Sequence, residues 1–206
     1  MRASGTRWPP LWLVLVLAAC AWGGWRSWLH REQTQPPGVL VAEDPQQGEP
    51  ETTAPIRHHG YELRPLASFE LRARVLGRED YRFDALADLV PTDLALGWGR
   101  MSDSAVLSRI AIQQSGRFYH WQVREFPIPE REIITHSANM HLIPADPVVA
   151  RALARVRPGQ IVALRGSLVE AHGPGGRVIR SSLTREDSGA GACEVIWVED
   201  LSVETP

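Results

Sequence analysis

Apolar and polar residues begin to alternate regularly only after residue 66. Phe69, Leu71, Ala73 and Val75 interleave with Glu70, Arg72 and Arg74. That is the period-two pattern of a strand with one buried face, and Gly77 is expected to end it. Residues 105–114 pass from a short helical turn into a strand over 109–114. Ser115-Gly116 signals a tight turn, and 117–123 reads as the hairpin partner. A further strand is expected over 132–142. The clearest element follows it. Asp146 is an N-cap candidate, Pro147 suits the first helical position, and Val149, Leu153 and Val156 fall on one face. This predicts an amphipathic helix over 146–157, stopped by Pro158-Gly159. Residues 160–170 read as a central strand with apolar residues on both faces. HGPGG at 172–176 is a turn, 177–182 returns, and 194–203 is the last strand.

Several antiparallel strands, one helix, a long strand, a hairpin and a closing strand predict a mostly β fold with one short helix. An OB-like small β-barrel inserts its helix between its third and fourth strands and has this order. An α+β sandwich-like domain is the alternative.

The first 65 residues follow other patterns. LWLVLVLAACAWGGW, residues 11–25, carries no charge and follows Arg2 and Arg7. Extended to Trp8 and Leu29 it is about 20 residues, the length that spans ~30 Å of hydrocarbon as a helix. Tryptophans lie near both ends, where indole favours the interface, and Arg26 sits where its head can snorkel outward. An uncleaved signal anchor is expected, single-pass in a bacterial inner membrane, with the domain in the periplasm or outside. Leu17-Ala18-Ala19-Cys20 supports an alternative, a lipoprotein lipidated at Cys20. The lipoprotein, the anchor and a plain cleaved signal all put the domain on the same side. Arg26 and Arg31 flatten the arginine bias across the segment, which leaves an inverted topology open. Residues 33–65 are rich in Pro, Gln, Glu and Thr with few large apolar side chains, the composition of a disordered tether. The expected organisation is therefore anchor or signal over 1–31, linker over 32–66 and β domain over 67–206.

Composition narrows the chemistry. The chain of 206 residues is 44% hydrophobic, enough for a real core. It contains no lysine, so a Schiff base, a Ser–Lys dyad and a Walker-type phosphate loop are excluded. Net charge is −2, and Arg2, Arg7, Arg26 and Arg31 carry four positive charges before residue 32, which leaves −6 on the rest. An acidic domain repels phosphate backbones, so nucleic acid is not an expected partner.

Three stretches carry candidate chemistry. ITHSANMHLIPAD, 134–146, holds His136, Met140 and His141, a weak ligand set for a soft metal ion. The competing reading is a polar strand end whose Ser, Thr and Asn side chains satisfy backbone groups. Cys193, in SSLTREDSGAGACEV, is a candidate nucleophile if His136, His141 or His172 supplies a base, with Glu186 or Asp187 as further candidates. A lone cysteine entering a strand is otherwise a small buried residue. In DLALGWGRMSDSAV, 93–106, Trp98 stands between two glycines as a binding-loop aromatic or as a plug for one end of the barrel. Asp84, Asp88, Asp93 and Asp103 do not follow a calcium-loop spacing. No GxSxG, HExxH, CxxC or GxGxxG occurs, and no cofactor is expected.

DLALGWGRMSD, THSANMHLIPA and the SSLTRED and GAGACEV pieces resemble segments of a family of short bacterial membrane-anchored proteins of uncharacterised activity. The resemblance covers roughly residues 69–199. It implies that the three stretches meet in space and assigns no role to any residue in them.

The expected function is a membrane-tethered binding or assembly module of the bacterial envelope, acting on envelope proteins or peptides. Its surface would join Trp98, Met101 and Asp103 with Ser137 and Asn139 and with Arg185 and Asp187. The alternative is a metal-binding or thiol-dependent enzyme using His136, His141 and Cys193.

Overall fold

A computed structural model describes residues 10–29, 31–186 and 193–204. In chain order the elements are helix α1 (Leu11–Leu29), strands β1 (Gln46–Gly48), β2 (Ile56–His58), β3 (Tyr61–Asp80) and β4 (Thr92–Gly97), a 3-10 turn (Gly99–Ser102) and helix α2 (Ser104–Leu107). Strands β5 (Ile110–Ser115) and β6 (Phe118–Val123), helix α3 (Glu130–Thr135), strand β7 (Ser137–Pro144) and helix α4 (Pro147–Leu153) follow. Strands β8 (Ile161–His172), β9 (Val178–Arg180) and β10 (Glu194–Val203) close the chain. The protein is mostly β with an N-terminal helix.

The main sheet pairs β3–β4–β7–β10–β8, and β8 pairs again with β3, so five strands form a ring of hydrogen-bonded neighbours. Every pairing in the ring is antiparallel except β7 with β10. A parallel pair needs a long crossover, and α4 with β8 supplies it. β1 and β2 pair with β3, β9 pairs with β8, and β5–β6 is a separate hairpin.

Alternation fills the inside of the ring. Phe69, Leu71 and Val75 of β3, Leu94 and Leu96 of β4, Met140 and Leu142 of β7, and Ile196 and Val198 of β10 share one buried cluster. Val149 and Leu153 of α4 close over it, as the helical spacing predicted. Asp146 caps that helix, accepting from the amides of Val148 and Val149. The helix is shorter than expected. The Arg78 guanidinium takes the carbonyls of Leu153 and Val156, at 2.6 and 3.0 Å, where the chain leaves helical geometry.

Three expectations are corrected. The strand of residues 69–75 is part of a 20-residue strand, and Gly77 does not end it. Gly77 sits at a register shift, where a Cβ would come 2.5 Å from Gln114 Oε1. The glycine lets the β5–β6 hairpin approach a bulged strand. Residues 132–142 are not one strand. Pro129 opens α3, with Glu130 and Glu132 in its first turn where the helix dipole favours carboxylates, and β7 starts only at Ser137. The 32–66 stretch is not a free tether. It contributes β1, β2 and the start of β3, and Val41 is fully buried. Short edge strands are held by backbone hydrogen bonds, which composition does not reveal. The Ser102 hydroxyl further fixes the stretch by accepting from the amides of Leu40 and Val41, both at 3.0 Å.

Helix α1 is 19 residues long and apolar enough to cross a membrane or act as a signal. Among its described residues Leu29 alone is buried.

Candidate functional site

The three stretches singled out above become neighbouring strands, β4, β7 and β10. Asp93 lies directly opposite His141, Ala95 opposite Asn139, and Glu194 beside Met140. Because strand residues alternate, Leu94, Leu96, Met140 and Leu142 point into the ring, which leaves Asp93, Asn139 and His141 on its outer face.

The β5–β6 hairpin covers that face. Gln114 Nε2 donates to Asn139 Oδ1 at 2.8 Å, and the hydroxyls of Tyr119 and Ser137 meet at 2.5 Å. Arg117 stands at the hairpin tip with φ 70, the left-handed conformation that side chains rarely adopt. Its guanidinium bridges to Asp84 at 2.8 and 2.9 Å and to Asp93 at 3.3 Å, and it lies 3.9 Å over the Tyr81 ring.

Under the hairpin sits a constellation of reactive types. His141 Nδ1 is 2.9 Å from Asp93 Oδ1, though the contact is off-line for an N–H···O hydrogen bond. Cys193 lies near enough to the His141 ring to help raise its pKa. Asn139 Nδ2 lies 3.9 Å from Cys193 Sγ and donates to the Arg117 carbonyl at 3.1 Å. Asp93 is fully buried, the His141 side chain is 13% exposed, and Cys193 is half-buried.

Burial alone would lower the His141 pKa. The Asp93 carboxylate and the Cys193 sulfur outweigh it and push the value up to about 9, so the ring is an imidazolium at neutral pH. Burial raises the Tyr81 phenol, helped by Asp93, and burial also raises Tyr119. The bonds from Arg117 hold Asp84 below the usual carboxylate range. A sulfur, an imidazole and a buried carboxylate in series are the parts of a thiol nucleophile with its proton carrier and orienting acid.

The structure separates the other candidates. His136 caps the end of α3, its Nδ1 near Thr135 Oγ1 and the Glu132 carbonyl and its Nε2 3.7 Å from Asp44. Met140 points into the ring and is fully buried, while His141 points out. His136, Met140 and His141 therefore do not converge, and among the described residues no group of three or more His, Cys, Asp or Glu is placed to hold a metal ion. His172 pairs with Glu170 at 2.6 Å. Glu186 pairs with Arg131 at 2.8 Å.

Of the expected binding surface, Trp98, Met101, Ser137 and Asn139 are buried. Asp103 caps α2 and accepts from the amide of Gly38 at 2.9 Å. Arg185 binds Glu194 at 2.7 Å and Gln47 at 2.9 Å. Asp187 lies outside the described residues. Cys20 lies exposed on α1.

Sequence reasoning named His141 and Cys193 but missed Asp93 as their partner, along with Arg117 and Gln114. The available signal was an acid at the start of DLALG, an otherwise apolar run. Its significance depends on strand register.

No protein family, curated protein or solved structure matches this chain.

Proposed function

We propose that this chain is a membrane-anchored thiol protein in which Cys193, His141 and Asp93 act on an envelope protein or peptide. One observation carries the reading: a half-buried cysteine stands beside an imidazole that a buried carboxylate holds protonated. Reactive cysteines occupy such electropositive, partly exposed positions.

The chemistry that fits is acyl transfer. With the thiol proton carried by His141, Cys193 Sγ bonds as a thiolate to the carbonyl carbon of an ester or amide, the C–O or C–N bond breaks, and His141 gives that proton to the leaving group. Water then attacks the thioester, His141 takes its proton, and the thiolate returns. Asp93 steadies the ring through both steps, and Asn139 Nδ2 is a donor close to the sulfur.

The setting we infer is an OB-like barrel held by α1 on the periplasmic side of a bacterial inner membrane, or by a lipid on Cys20. The strand order, the single parallel pair and a helix between the third and fourth ring strands support the barrel reading.

A second reading is a binding or assembly module without chemistry. It is favoured by the bonds that Asp93 and Asn139 make to the hairpin, which give the same residues a clamping role.

The test is the alkylation rate of Cys193 by iodoacetamide in the full chain in detergent, with peptide mapping to separate it from Cys20. At pH 7 the native protein is expected to react about tenfold or more faster than folded His141→Gln. Equal rates would reject the thiol site and leave the binding module.

A further inference from the structure

The end of the domain nearest α1 carries a feature that neither reading uses. Phe83 is 99% exposed, the most exposed large apolar residue among those described. It lies in the connection between β3 and β4, next to Arg82. The Arg82 guanidinium stacks 3.9 Å from the centre of the Trp22 ring, and Trp22 belongs to α1. At a second point Arg157 stacks 4.2 Å from the centre of the Trp28 ring.

The two contacts fall at different heights. Trp22 lies six residues before Trp28, about 9 Å further along the helix axis toward its apolar end. Tryptophan rings mark the boundary between headgroups and hydrocarbon. If Arg157 rests at the level of Trp28, a loop that reaches Trp22 has entered the interface. A fully exposed phenylalanine at that depth meets acyl chains rather than water, and arginines around it meet lipid phosphates. The nearest acid in the chain, Asp84, is committed to Arg117, which leaves Arg82 as the charge beside Phe83; the connection's other acid, Asp88, is exposed five residues on from Phe83. Arg26 on α1 lies exposed in the same layer.

We propose that Arg82 and Phe83 form a second membrane contact, in which the loop beside the anchor dips into an anionic bilayer surface and holds the domain against it. The proposal rests on α1 being a membrane anchor. Its consequence is orientation: two attachments fix which face of the domain looks away from the bilayer, where one helix alone would let it swivel.

The experiment uses the full chain with Cys20 and Cys193 replaced by serine. A polarity-sensitive fluorophore is attached through Phe83→Cys or, as control, Phe126→Cys. Phe126 is also exposed but follows β6, at the end of the hairpin opposite Arg117. Each protein is placed in phosphatidylglycerol–phosphatidylcholine vesicles carrying a spin-labelled lipid with its nitroxide near the headgroup, and flotation reports the anchor. Several-fold stronger quenching at 83 than at 126, lost when Arg82→Glu is added, is expected. Protein that floats with equal quenching at both positions overturns the loop contact and leaves the anchor standing. Protein that fails to float overturns both.

Discussion

Asp93 and His141 face each other across the β4–β7 pair, with carboxylate and ring nitrogen 2.9 Å apart and no solvent on the acid. Asp93 also receives the Arg117 guanidinium at 3.3 Å. One buried anion thus serves two cations that come from different elements, the strand itself and the hairpin laid over it. A buried charge is tolerated only when it is paired and hydrogen-bonded. The pairing therefore links the protonation of His141 to the docking of the hairpin.

The sign of the resulting pH dependence follows from the raised pKa. His141 moves from an ordinary 6.5 to about 9 in the folded chain, so folding favours its protonated form. The stabilisation is fully present below pH 6.5 and is lost as pH rises through about 9. A shift of this size corresponds to a few kcal/mol, on the order of 3. The urea midpoint of the native protein is expected to fall across that window, while His141→Gln stays level. Parallel profiles for the two proteins would show that the coupling is absent.

Asp93→Asn removes the anion that His141 and Arg117 share and leaves Arg117 with Asp84 alone. A loss of about 3–5 kcal/mol in unfolding free energy is expected, the scale seen when one partner of a buried pair is deleted. The His141 titration should move down from about 9 because burial then acts with less opposition. Histidine chemical shifts followed against pH test this directly. A titration that stays in place would mean that Asp93 does not set it.

Much of this arrangement was legible in the sequence, and the illegible parts share a cause. The α4 cap at Asp146 and the 194–203 strand depend on local chemistry, and the structure has both. The polar stretch at 134–146 was also visible, but its meaning depended on which neighbours each residue meets. Asp93 meets His141 only because β4 pairs with β7 in one register, and a shift of one residue would turn either side chain inward. Trp98 between two glycines resembles a loop aromatic until Gly97 is seen to let backbone close in. A Cβ there would fall 2.6 Å from the Met101 carbonyl. The edge strands of the 32–66 stretch were hidden for another reason. Backbone bonds and single side chains such as Val41 hold them, while their composition is that of a disordered chain.

Arg117 joins the hairpin to both Asp84 and Asp93, and the hairpin belongs to a sheet of its own. Removing the guanidinium should loosen β5–β6 without unravelling the ring. Arg117→Gln is expected to speed amide exchange in the hairpin about tenfold or more, with β3 and β8 unchanged, because local opening reports the weakest cooperative unit. Faster exchange throughout the ring would instead make the hairpin part of the global core.

Gly159 tests whether residues beyond α1 are held to the domain. It has φ +85, and an added Cβ would lie 2.0 Å from the Gln33 carbonyl. The Gln33 amide donates to the Pro158 carbonyl at 2.7 Å, so the two backbones touch here. Gly159→Ala must displace Gln33 and free the adjoining stretch. Trypsin is expected to cleave after Arg31 about tenfold faster in this variant. Gly60→Ala is the control, since Gly60 has φ +80 with no atom within 4 Å of an added Cβ. It carries similar backbone strain, of order 1–2 kcal/mol, without touching the stretch, and its cleavage rate should match the native one. Equal acceleration in both variants would trace the effect to general destabilisation. No acceleration in either would show that residues 31–41 are free of the domain.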